Sequence, residues 1–113
     1  MKDDCIFCKI IKKESPSNIV YEDSNVFAFR DIQPQAKHHI LVIPKKHIPT
    51  ITDIESNDVY GQIFSAIKKI AKQEGMEKGG YRVCINNGPD AGQTVFHVHF
   101  HVIGGEKISD KMA

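Results

Sequence analysis

His97-Val98-His99-Phe100-His101-Val102-Ile103 sets three histidines in strict alternation with apolar residues. A strand sends successive side chains to opposite faces, so His97, His99 and His101 share one face while Val98, Phe100 and Val102 share the other. The spacing thus predicts a strand with a chemical face and a core face. At about 3.3 Å of rise per residue the imidazoles stand about 6.6 Å apart, close enough to surround one phosphate-sized group. Such a face could simply meet water, and for one histidine that reading would suffice. Three in register point to chemistry, because histidine is an indifferent strand former whose proton state changes near neutral pH.

Around this stretch the chain divides into short elements. Cys5 to Lys13 reads as a short helix with apolar residues at 6, 7, 10 and 11, ended by Ser15-Pro16-Ser17-Asn18. Ile19 to Glu22 and Val26 to Arg30 are strand patterns joined by the turn Asp23-Ser24-Asn25, which makes them a hairpin. His39 to Pro44 is nearly continuously apolar and predicts a central strand covered on both faces. A long helix is expected from Thr52, where Thr52 and Glu55 match a capping box, or from Ser56, to about Gln73. Ile63, Ile67, Ile70 and Ala71 keep helical spacing with Phe64 beside them, Lys68, Lys69 and Lys72 fall on the solvent side, and Gly75 suits a C-cap. Tyr81 to Asn86 and Thr94 to Ile103 complete five strands, joined by the turn-rich loop 87–93. The expected fold is α+β: a five-stranded, mostly antiparallel sheet, one long helix against the core face, a short N-terminal helix, and an open histidine face.

The chain has 113 residues, 41% of them hydrophobic and 26% charged, with a formal net charge of +1. These values predict one domain over residues 1–113 and argue against a protein that holds nucleic acid by charge alone. No stretch approaches the ~20 apolar residues of a membrane span, and Met1-Lys2-Asp3-Asp4 lacks the start of a secretory signal. A cytoplasmic protein is therefore expected. Its three cysteines are an odd number for a disulfide framework. Cys84, inside a strand pattern, is expected in the core.

A neutral imidazole attacks phosphorus well and leaves it well, so a positioned histidine divides one difficult displacement into two easier ones. His99, in the middle, is the natural nucleophile, and its neighbours can orient it, donate to phosphate oxygens or move a proton. Gly92-Gln93-Thr94 offers backbone N–H groups and a hydroxyl just before the strand. Cys5-x-x-Cys8 is either a redox pair or half of a zinc site. His47 and His97 are available donors to complete a Cys2His2 set, whose four filled positions would make the metal structural. Lys45-Lys46 looks like a phosphate-binding pair, although charge pairs after a strand usually face water.

Together these residues resemble the histidine triad (HIT) nucleotide-binding family. His97 to Ile103 matches its His-φ-His-φ-His-φ-φ signature, and Cys5 to Ile11, Phe29 to Ile32, His39 to His47 and Asn86 to Gly105 are similar to the Hint branch in order and in gaps. The resemblance implies a homodimer whose two sheets join into one, each subunit binding a purine nucleoside monophosphate and hydrolysing its phosphoramidates at the α-phosphorus. It implies that His99 becomes a nucleotidyl-histidine, that His101 contacts phosphate oxygens with His39 nearby, and that His97 supports the nucleophile. Gly92, Gln93 and Thr94 are implied at the phosphate, Asn86 at the leaving group, Asp31 at the ribose, and Phe7, Ile10, Phe29, Ile32 and Leu41 around the base. It further implies structural zinc on Cys5, Cys8, His47 and His97, and no organic cofactor. The related Fhit branch, which hydrolyses dinucleoside polyphosphates, and a regulatory nucleotide-binding role are the competing readings. Two departures stand out: the tail Glu106 to Ala113 lacks the aromatic, proline-rich ending of animal Hint proteins, and Ser15 stands where an apolar residue is frequent.

Overall fold

Val26, Phe27, Ala28 and Phe29 are all buried. A strand buried on successive residues needs cover on both faces, and this requirement organises the molecule. The computed structural model describes residues 2–109; Met1 and residues 110–113, the end of the polar tail, lie outside it. Five strands, β1 (Ile19–Glu22), β2 (Val26–Arg30), β3 (His38–Pro44), β4 (Tyr81–Ile85) and β5 (Phe100–Gly104), form one sheet in the order β1-β2-β3-β5-β4. Every neighbouring pair is antiparallel.

Helix α2 (Asn57–Gln73) covers one face. Its buried residues Ile63, Ala66, Ile67, Ile70 and Ala71 follow the helical repeat and pack with Val26, Ala28, Ile40, Val42, Phe100 and Val102. Each isoleucine so buried contributes about 1.5–3 kcal/mol. Phe64 lies at the margin, 43% exposed and edge-on to Phe100. The short helix α1 (Ile6–Ile11) covers the other face, where Phe7, Ile10 and Ile11 meet Phe27, Phe29, Leu41 and Ile43. Among the described residues no helix is long and apolar enough to cross a membrane.

The ends of α2 depart from one expectation and keep another. Thr52 and Glu55 form no capping box, because Ile54 is extended and residues 51–53 close a separate single turn in which Thr50 Oγ1 donates to Asp53 Oδ2. Ser56 is the N-cap, accepting from the Asp58 N–H at 3.2 Å. At the other end Gly75 takes the left-handed φ of 72°, and the Met76 and Gly75 N–H groups bond back to the Ala71 and Lys72 carbonyls. This paired closure satisfies carbonyls that the helix leaves open.

The histidine stretch is corrected in two ways. β5 begins at Phe100 rather than Thr94, so only His101 of the three lies in the sheet. The register pairs Val42 with Phe100, which would set Pro44 against Val98, and Pro44 has no N–H for the ladder. Val98 bonds to the Ile48 carbonyl instead, at 2.7 Å. The alternation survives without the strand, since Val98, Phe100 and Val102 all join the α2 core. The histidine face, however, is not open: α1 lies over its start, leaving His97 fully buried and His99 8% exposed.

Candidate active site

Helix α1 faces two ways. Cys5 is its N-cap, with Sγ accepting from the Cys8 N–H at 3.4 Å, so both sulfurs converge at the helix start. Cys8 Sγ lies 3.4 Å from His47 Nδ1 and 3.6 Å from His97 Nδ1, and Cys5 Sγ lies 3.5 Å from His97 Nδ1. Zn–S bonds near 2.3 Å and Zn–N bonds near 2.0–2.1 Å set the S···N edges of a tetrahedral site at about 3.6 Å. His97 Nε2–H donates to the Pro44 carbonyl at 2.7 Å, which leaves the Nδ1 lone pair for an ion and orients the ring. The four residues therefore fit a structural zinc site. Burial holds the His97 imidazolium down to about 4 and pushes the Cys8 thiol up, so an ion would meet a neutral imidazole and would itself favour the thiolate.

The opposite side of α1 forms part of the wall of a cavity of about 650 Å³. Phe7 stands edge-on to Phe29, with centroids 5.3 Å apart, and edge-on to the His99 ring at 5.2 Å. Ile10, Phe29 and Leu41 complete an apolar surface, while Ile32, 94% exposed, stands at the rim rather than in a closed slot. Asp31, His39, Asn86, Gly92, Thr94, His99 and His101 share the same wall. Thus Phe7 and His101, 94 positions apart in sequence, meet around one space.

Hydrogen bonds assign the ring protons. His99 Nδ1 is 2.9 Å from the His97 carbonyl oxygen, which accepts only, so Nδ1 carries the proton and Nε2 keeps its lone pair. The Gln35 N–H donates to His39 Nδ1 at 3.1 Å, which puts the His39 proton on Nε2. That N–H donates to His101 Nδ1 at 2.9 Å, with Asp31 Oδ2 3.4 Å away, so His101 bears its own proton on Nε2. Burial lowers all three imidazoles; His101, facing His99 and His39 as well, is held at about 4. At neutral pH the cavity therefore presents one histidine with a free lone pair and one with a free N–H.

Gln93 is not on the cavity wall; its side chain is 3% exposed and turned into the protein. Cys84 is half-buried on the wall, opposite His101 in the β4–β5 register, rather than in the core. It alternates in step with Asn86, a parity that would have revealed its face. Ser17, Arg30 and Gln35 also line the space and carried no earlier signal; the Arg30 guanidinium is engaged with Glu74 and with His38 Nδ1. Lys45 pairs with Glu22 at 2.9 Å, away from the cavity.

Alternating histidines that lead into an antiparallel sheet, with His99 and His101 on the wall of a cavity, are the arrangement of the histidine triad class. Residues 12–108 match the HIT domain family, and the chain belongs to it. A purine nucleoside phosphoramidase of Escherichia coli (strain K12) is 45% identical over a 115-residue alignment covering 100% of this chain and 97% of that protein. A histidine triad protein from Clostridium difficile superimposes with a TM-score of 0.94 at 46% identity, covering 97% of each chain. A HIT family hydrolase from Clostridium thermocellum gives 0.94 at 43% identity over 100% of both chains.

Proposed function

We propose that this protein hydrolyses purine nucleoside phosphoramidates in two steps through His99. The observation that carries the reading is the bond from His99 Nδ1–H to the His97 carbonyl, which leaves Nε2 unprotonated on a residue of the cavity wall. Nε2 attacks the α-phosphorus, the P–N bond breaks, and the amine departs with a proton taken from solvent, which the water of the second step gives back, leaving a nucleotidyl group on His99. Water then attacks phosphorus, the P–N bond to His99 breaks, and the nucleoside monophosphate leaves with the imidazole restored. The His101 Nε2–H suits a phosphate oxygen whose charge grows in each step, and Gly92 with Thr94 adds backbone and hydroxyl donors. Asp31 accepts from the ribose hydroxyls, Asn86 stands by the leaving amine, and Phe7, Ile10, Phe29, Ile32 and Leu41 take the base.

In the same reading zinc on Cys5, Cys8, His47 and His97 is structural and touches no substrate. The protein acts as a homodimer whose two sheets join into one. The 45% identity to a purine nucleoside phosphoramidase across the chain supports this choice of substrate. His99→Ala is expected to keep monophosphate binding while losing at least about 1,000-fold in turnover of an adenosine phosphoramidate. Near-normal turnover by that variant, or faster hydrolysis of diadenosine triphosphate than of the phosphoramidate by the wild type, would overturn the reading.

A further inference from the structure

The Gln93 amide has no free polar atom. Its Nε2 donates to the Pro49 carbonyl at 2.7 Å and to the Val95 carbonyl at 3.0 Å, while its Oε1 accepts from the Gly88 N–H at 2.8 Å. Turning the side chain toward the cavity would strip three part-buried groups of a partner, and such groups are costly to leave unpaired.

Its three partners sit at telling places. Pro49 is two residues beyond His47, and Val95 two residues before His97, both members of the cysteine–histidine cluster. Gly88 begins the loop that ends in Gly92 and Thr94 on the cavity wall. The Gln93 backbone closes that loop too, its N–H bonding to the Gly88 carbonyl at 3.0 Å. Val98 N–H to the Ile48 carbonyl, and Ile51 N–H to Asn87 Oδ1 at 2.8 Å, fasten the same segments on either side.

We propose that Gln93 is a positioning residue that couples the metal cluster to the loop 88–94, and not a ligand to the substrate. An ion on His47 and His97 fixes the chain that carries the Pro49 and Val95 carbonyls; the Gln93 amide bridges the two and passes their position to Gly88. That the loop serves phosphate rests on the reading of function above, whereas the coupling itself does not.

The test is amide hydrogen exchange of residues 88–93, measured on the full chain with zinc and after chelation. In the wild type, removing zinc should speed exchange at the Gly88 and Gln93 amides by about tenfold, the scale of one lost hydrogen bond. In Gln93→Leu these amides should exchange fast with or without zinc, while one zinc per chain still binds. Gln93→Glu, which keeps the acceptor for Gly88 but sets oxygen against two carbonyls, should behave in the same way and serves if the leucine variant does not fold. Loop exchange indifferent to zinc in the wild type would overturn the proposal, as would a chain that takes up no zinc. So would variants with wild-type exchange and weaker binding of adenosine monophosphate, the signature of a direct ligand. A wild type that exchanges as expected but turns over no phosphoramidate would overturn the function and leave the coupling standing.

Discussion

His99 Nδ1 lies 2.9 Å from the carbonyl oxygen of His97, two residues earlier in the chain. A backbone carbonyl cannot donate, so this contact decides which nitrogen of His99 is basic, and the sequence motif supplies both halves of the device. The same His97 turns its own ring to the cysteines, so its backbone and side chain serve different sites.

The pH dependence follows. Burial lowers His99 below the ordinary histidine value, and it lowers His101 to about 4, so both are neutral at pH 7. The acid limb of kcat/KM should therefore fall below pH 6.5, at a macroscopic value belonging to the coupled rings. Stability moves in the same direction. A histidine whose folded pKa is depressed binds its proton more readily when unfolded, so stability is full above about 6.5 and declines as pH falls toward 4. Urea midpoints between pH 7.5 and 4.5 would check this, and a midpoint that rises on acidification would contradict it.

Asp31→Asn addresses sugar recognition. Asp31 Oδ1 accepts from the Gln33 N–H at 2.9 Å, so the loop geometry is expected to survive the change. KM for a ribonucleoside phosphoramidate should rise by about 10-fold or more, as for loss of a charge-assisted hydrogen bond. A substrate lacking the 2′- and 3′-hydroxyls should show little further loss, and an equal loss on both would assign Asp31 elsewhere.

Metal removal is expected to loosen the α1 face. Zinc at 100 times its Kd adds about 2.7 kcal/mol, equivalent to roughly 10 °C or more in Tm for a chain of this size. Calorimetry of wild type and Cys8→Ala, each with zinc and with chelator, should show that difference only in the wild type.

Gly105 offers a test remote from the chemistry. Its φ is +86°, and a Cβ there would stand 2.5 Å from His38 Cδ2. Gly105→Ala should cost about 1–2 kcal/mol in urea denaturation, from the left-handed backbone before any ring movement. Zinc content should not change.

Much of this was legible because period and parity survive folding. The alternation from His97 to Val102 sorts chemical from core side chains even where the strand itself is missing. Where β5 begins was not legible, because it depends on Pro44 falling opposite Val98, a coincidence of register that exists only once β3 and β5 are paired. Gln93 was illegible for a related reason. Nothing near Gln93 in sequence shows that the carbonyls of Pro49 and Val95, far apart along the chain, converge on its amide. The four metal-ready residues were found from donor chemistry, whereas the covering of His97 and His99 required knowing where α1 docks.

Helix α1 spans six residues, well below the length at which a helix persists alone in water. Its order is borrowed from what it docks against, and one turn carries both the cysteine pair and Phe7. The two surfaces are consequently not independent: a change at Cys5 or Cys8 that frees this turn also moves Phe7, and with it part of the cavity wall.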